Sequence, residues 1–168
     1  MTTLDCGKDS ARFFILPKQN SKATSRWASV TQSQIDSFAA VTGDQQWIHQ
    51  ENAQEAGSPF NGPIAHGLLL LGLAINLARE CGALEDVTWV LYGFEKVRFR
   101  APVHCSARIR CLTTVNDIRP FAAGTLVNVH FVMEIENAKI PALVADCLLL
   151  NLSASSRDGG PTAERTLG

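Results

Sequence analysis

One segment constrains the fold more than any other. Residues 65–80 read AHGLLLLGLAINLARE, apolar on nearly every helical face until the last turn. A helix that is apolar all round is expected to be buried all round. At 1.5 Å per residue it would run about 24 Å, short of the ~30 Å hydrocarbon core of a bilayer. A wrapper within a globular domain is therefore required. The chain has 168 residues, 46% of them hydrophobic and 18% charged, which suits one domain with a packed core.

The wrapper follows the helix. Residues 88–92, 94–100, 107–115, 125–135 and 142–152 are rich in β-branched and apolar side chains and separated by turn formers, which predicts five strands. In 125–135, Thr125, Val127, Val129, Phe131, Met133 and Ile135 share one face, while Asn128, His130 and Glu134 share the other. That is the period of a half-buried antiparallel strand. The expectation is an α+β fold, a curved antiparallel β-sheet around a central hydrophobic α-helix, whose edge strands commonly pair between subunits.

A second helix is predicted from Thr31, where Thr31-Gln32-Ser33-Gln34 fits a capping box. Ile35, Phe38 and Ala39 then form one apolar stripe, and Gly43 suits a left-handed cap. Residues 52–56 suit one further helical turn. Residues 1–24 show no sustained period and read as a loose segment with a short strand around residues 13–16. Residues 153–168 offer almost nothing to bury and read as a disordered tail. The domain is then 25–152.

Composition excludes several function classes. Lys and Arg total 15 against 16 for Asp and Glu, giving a net charge of −1 and no basic run, so no nucleic-acid partner is expected. Asp5, Lys8 and Asp9 stand where a signal peptide needs apolar residues. Cys6, Cys81, Cys105, Cys111 and Cys147 form an odd set without a CxxC pair, so neither a disulfide framework nor a zinc site is suggested. A cytoplasmic protein with no membrane partner and inert thiols is the expectation.

The chemistry concentrates between the two helices. Thr42, Gly43, Asp44 and His49 are followed by Ile64, Ala65, His66 and Gly67, and later by the segment 92–103, YGFEKVRFRAPV. This double motif resembles the MaoC-like hydratase family, which includes the (R)-specific enoyl-CoA hydratases and has the hot-dog fold. The likeness spans about residues 28–150. It implies a hydratase/dehydratase, a carbon–oxygen lyase, that adds water reversibly to the 2,3 double bond of a trans-2-enoyl thioester to give the (R)-3-hydroxyacyl product. It also implies a homodimer, an acyl-CoA or acyl-carrier thioester as substrate, and no cofactor or metal, coenzyme A being part of the substrate.

By the same resemblance, Asp44 and His49 activate water and manage the proton of the α-carbon, as general acid–base catalysis requires. The backbone amide of Gly67 sits in the first turn of the buried helix, where N–H groups lack partners, and would hold the thioester carbonyl. Gln46 and Trp47 stand where the family has Asn-Pro, although its NodN-like branch has a Gln-Trp version. They belong with His66, Lys96 and Arg98 to the expected substrate-binding set. Lys96 and Arg98 share a strand face and suit coenzyme A phosphates, or simply line a solvated face. His66 suits helix-start packing as well, and His104 and His130 read as loop or sheet-surface residues. Two other readings stay open: a hot-dog acyl-thioesterase, and a non-catalytic acyl-thioester binder or partner subunit.

Overall fold

In chain order the elements are β1 (Lys22–Thr24), β2 (Ala28–Ser29), α1 (Gln32–Thr42), two 3₁₀ turns (Trp47–His49 and Glu51–Ala53), α2 (Gly67–Glu80), β3 (Trp89–Phe99), β4 (Arg108–Phe121), β5 (Gly124–Ile135) and β6 (Leu143–Asn151). They come from a computed structural model that describes residues 18–84, 89–121 and 124–152. The strand expected near residues 13–16 and the tail 153–168 lie outside these. The six strands form one antiparallel sheet in the order β1-β4-β5-β6-β3, with β2 also on β4.

The alternation along β5 sets the inner face. Val127, Val129, Phe131 and Met133 are fully buried, and each has a buried partner across the ladder. Directly opposite residues share a face. Thr113, Phe131, Ala145 and Val97 thus form one inner row across four strands, and Cys111, Met133, Leu143 and Phe99 form the next. Helix α2 packs on this face through Leu70, Leu71, Ala74, Leu77 and Ala78. Burying each of these leucines stabilises the domain by about 1.5–3 kcal/mol. No described helix is long and apolar enough to cross a membrane.

Helix α1 starts and stops as its sequence predicts. The Thr31 hydroxyl accepts from the Gln34 amide at 3.3 Å, and the Gln34 side chain accepts from the Thr31 amide at 2.9 Å. Gly43 ends it at φ 76°, a conformation glycine adopts at little cost.

Three expectations need correction. Residues 22–24 are not loose: Lys22–Thr24 pairs with Leu112–Thr114 of β4, and three residues are too few to show a period. The strands expected at 88–92 and 94–100 are not separate, since β3 (Trp89–Phe99) runs through Gly93 with register shifts between Leu91 and Gly93 and between Phe94 and Lys96, residue 88 lying outside the described residues. Such irregularities absorb the break in alternation. Finally, α2 is buried on one side only within this chain, for Leu68 is 65% exposed.

The long edge strand β3 likewise leaves Val90, Leu91, Tyr92 and Phe99 exposed. An apolar edge of this length, unpaired among the described residues, invites pairing with another chain.

Burial pushes the thiols of Cys111 and Cys147 up to about 12, against the weaker opposing pull of a Thr113 hydrogen bond on Cys111. The thiolate is the reactive form. Alkylation of the native protein at pH 8, mapped by mass spectrometry, is therefore expected to spare both residues until the chain is unfolded. Fast native labelling of either would contradict this burial.

Candidate active site

The site is built where the start of α2 meets the loop leaving α1. Residues 63–65 run between two neighbouring backbones. On one side the Ala65 amide donates to Val103 O at 2.8 Å and the Cys105 amide to Pro63 O at 3.0 Å. On the other the Ile64 amide donates to Ile48 O at 3.1 Å. The I-A-H-G and P-V segments of the sequence are therefore adjacent strands of backbone, and the loop carrying His49 is laced to both.

His49 is buried, and its Nδ1 lies 2.7 Å from Ile64 O. A carbonyl only accepts, so Nδ1 carries the hydrogen and Nε2 of the neutral ring keeps its lone pair. Asp44 is exposed just beyond the Gly43 cap. Its amide donates to the Thr42 hydroxyl at 3.4 Å, and Oδ1 accepts from the Gln46 amide at 3.4 Å. His66 is the N-cap of α2 and is buried. Its Nε2 donates to Asp44 O at 3.0 Å, and its ring stacks on His49 with centroids 3.6 Å apart and planes 25° apart.

A carboxylate oxygen of Asp44 and one ring nitrogen each from His49 and His66 all lie within 4.8 Å of one another. Two hydrogen bonds of about 2.8 Å meeting near the tetrahedral angle span about 4.6 Å, so one water fits between two such groups. The same three residues are metal-ligand types. A ring nitrogen's lone pair lies in the ring plane, however, and two nearly parallel stacked rings cannot both aim theirs at one ion. The arrangement suits a water and a proton better than a cation.

Gly67 opens α2, as expected, with the unpartnered first-turn amides and the positive helix end. What comes close to it in this chain is an aromatic ring: a Cβ there would lie 3.0 Å from Phe99 Cζ. Trp47 opens the first 3₁₀ turn and is 42% exposed, beside the exposed Gln46. The loop and the α2 start thus bring together Asp44, His49 and His66, with Gly67 next in the chain after His66, while Gln46 and Trp47 lie on the exposed stretch of loop between Asp44 and His49.

Lys96 and Arg98 are not brought to this cluster. They share a face, but their partners across the ladder are Asp146 and Val144, on the outer side of the sheet. The shift between Phe94 and Lys96 puts the following odd-numbered residues inward and the even-numbered ones outward. His130 is also on the outer face, 2.6 Å from Asp146 Oδ1, and His104 forms a bridge with Ile64. Gln32 carries no sequence signal beyond its place in the cap motif, yet its Nε2 donates to His49 O at 2.8 Å. Phe99 gives no signal beyond its strand.

A family model described as the MaoC-like domain matches residues 16–135. The chain is 35% identical over 127 residues to 3-hydroxyacyl-thioester dehydratase Z of Mycobacterium tuberculosis, covering 74% of this chain and 84% of that protein. It is 37% identical over 131 residues to Nodulation protein N of Rhizobium meliloti, covering 76% and 81%. Among solved structures, the unliganded R-hydratase from Pseudomonas aeruginosa superposes with a TM-score of 0.68 at 20% identity, covering 91% of this chain and 97% of that one. The chain belongs to the MaoC-like dehydratase family and has its hot-dog fold. It is accordingly an enzyme of the hydratase/dehydratase class.

Alanine in a helix is ordinarily preferred to glycine by about 1 kcal/mol. At residue 67 the order is expected to reverse, because a methyl group meets the Phe99 ring. Thermal melts of Gly67→Ala, Phe99→Ala and the double variant should show a coupling of about 1 kcal/mol, with alanine tolerated only when the ring is gone. Equal effects of Gly67→Ala in both backgrounds would contradict the contact.

Proposed function

We propose that this chain adds water reversibly to the 2,3 double bond of a trans-2-enoyl thioester, giving the (R)-3-hydroxyacyl thioester. The observation that carries the reading is the fixed tautomer of His49. With Nδ1–H held by Ile64 O, Nε2 is left as the base. As the water oxygen adds to C3, Nε2 takes one water proton and returns it to the α-carbon. The Asp44 carboxylate accepts a hydrogen bond from the other water hydrogen, which stays on the new 3-hydroxyl, and so orients the oxygen. Charge that develops on the thioester carbonyl falls to the Gly67 amide at the positive end of α2.

The relatives support the substrate class, since one of them is named a 3-hydroxyacyl-thioester dehydratase. The acyl carrier is coenzyme A or a carrier protein, and no metal or other cofactor enters the scheme. Gln46, Trp47 and Phe99 border the site and are assigned to the acyl side, with Trp47 as its largest surface. Lys96 and Arg98 are left out, because the sheet stands between them and the site. A homodimer, paired through the β3 edge and covering the Leu68 side of α2, would bury the apolar surface left bare in one chain. The thiols of Cys105, Cys111 and Cys147 fit a cytoplasmic location.

Incubation with crotonyl-CoA and longer enoyl-CoAs, following the conjugated enoyl absorbance together with free thiol, tests the reading. The absorbance should fall without thiol release, and Asp44→Asn should slow that fall by about 10²–10⁴-fold. Thiol release without hydration would establish the thioesterase instead, and tight binding without turnover the non-catalytic binder.

A further inference from the structure

The loop from Asp44 to His49 holds itself weakly. Its internal bonds are short-range ones, from the Gln45 amide to Gly43 O, the Gln46 amide to Asp44 Oδ1, the His49 amide to Gln46 O and the Gln50 side chain to Gln45 O, and only its His49 end also meets residue 64, through Ile48 O and His49 Nδ1. Residues 44–47 are exposed, so little packing fixes them. Yet both reacting groups of the proposed hydration sit at its two ends. Each end is tied to the start of a helix through a backbone carbonyl: Asp44 O accepts from His66 Nε2 at 3.0 Å, and His49 O accepts from Gln32 Nε2 at 2.8 Å.

The two donors have no freedom to turn. Gln32 Nε2 also donates to Asp36 Oδ1, 2.9 Å away on the next turn of α1. Both partners are acceptors, so the amide nitrogen, not the oxygen, must face His49. His66 is wedged between the stacked His49 ring and the tilted Phe38 ring, whose centroid is 4.9 Å away. In each case the orientation leaves the other polar atom bare. Among the described residues, Gln32 Oε1 and His66 Nδ1 are the buried side-chain atoms without a hydrogen-bond partner. Native structures rarely leave such atoms unpaired. That both belong to side chains touching the His49 segment points to orientations set by the loop they hold.

We propose that Gln32 and His66 are positioning residues that clamp the two ends of the Asp44–His49 loop, so that the Asp44 carboxylate and His49 Nε2 meet at one water. His66 on this account contacts no substrate. Its work is the Asp44 carbonyl and the face of His49. The proposal rests on the hydration reading for its catalytic readout but not for its structural one. Reactive groups displaced by about an ångström can lose about 10²-fold in rate.

The test uses the full chain in three variants: Gln32→Met, which keeps length but has no donor; His66→Ala; and His66→Gln, whose amide nitrogen reaches about as far as Nε2. Hydration of crotonyl-CoA is measured with the ¹⁵N signals of the His49 ring. Gln32→Met and His66→Ala are expected to lower kcat by about 10–100-fold with KM within about threefold. His66→Gln should regain most of the loss, and the Nδ1–H signature of His49 should weaken in the first two variants and return in the third. Gln32 lies at the start of a surface helix, so its variant reads the clamp even if His66→Ala fails to fold. Parental kcat and parental ring signals in Gln32→Met and His66→Ala would overturn the proposal, as would equal losses in His66→Ala and His66→Gln. If the parent chain hydrates no enoyl thioester, the hydration reading fails, and the ring signals alone still decide the clamp.

Discussion

The seating of α2 on the inner face of the sheet is the constraint from which the other features follow. The helix has no polar stripe to offer its neighbours, so its position is fixed by Leu70, Leu71, Ala74 and Leu77 against a face made of Phe131, Met133 and their ladder partners. A close-packed contact of this kind has few alternative arrangements. It fixes where the helix begins, and residues 63–66 ahead of it are stretched between Val103 on one side and Ile48 on the other. The positive helix end, the Ile64 carbonyl that sets the His49 tautomer and the His66 ring are all consequences of that one placement.

The chemistry is thus divided between a rigid and a yielding part. Gly67 and His66 start a packed helix and His49 is buried against residue 64, whereas Asp44 rides on the exposed stretch 44–47. Such a division suits a reaction in which a single water and proton must be placed while the acyl chain enters past the loop. Phe99 on β3 lies against Gly67 and joins the sheet edge to the helix start. Whatever covers β3 therefore also borders the site.

Much of this was legible because it is local. The capping box at Thr31, the left-handed Gly43 and the inner face of β5 depend on residues a few positions apart and stand as the sequence predicts, and α2 starts at Gly67, two residues after the expected Ala65. The convergence of Asp44 and His49 with Gly67 was legible only through the family's double motif. What the sequence concealed depends on long-range register. Lys96 and Arg98 do share a face, but a shift after Phe94 decides which face, and no local pattern records it. β1 is too short to have a period. The exposure of Leu68 shows that an all-apolar helix need not be covered by its own chain. Gln32 reads only as part of the cap motif, and His66 as a substrate-binding or helix-start packing residue, because their partners are main-chain carbonyls, which leave no mark in sequence.

The central claim is that Asp44 and His49 act as one unit on one water. Groups that serve a single step together lose their effect together, so their deletions are far from additive. The direct measurement is kcat/KM for enoyl-CoA hydration in Asp44→Asn, His49→Ala and the double variant. The double variant should be no worse than the poorer single variant, within about threefold. Losses that multiply would mean that the two side chains act independently, and would contradict the account.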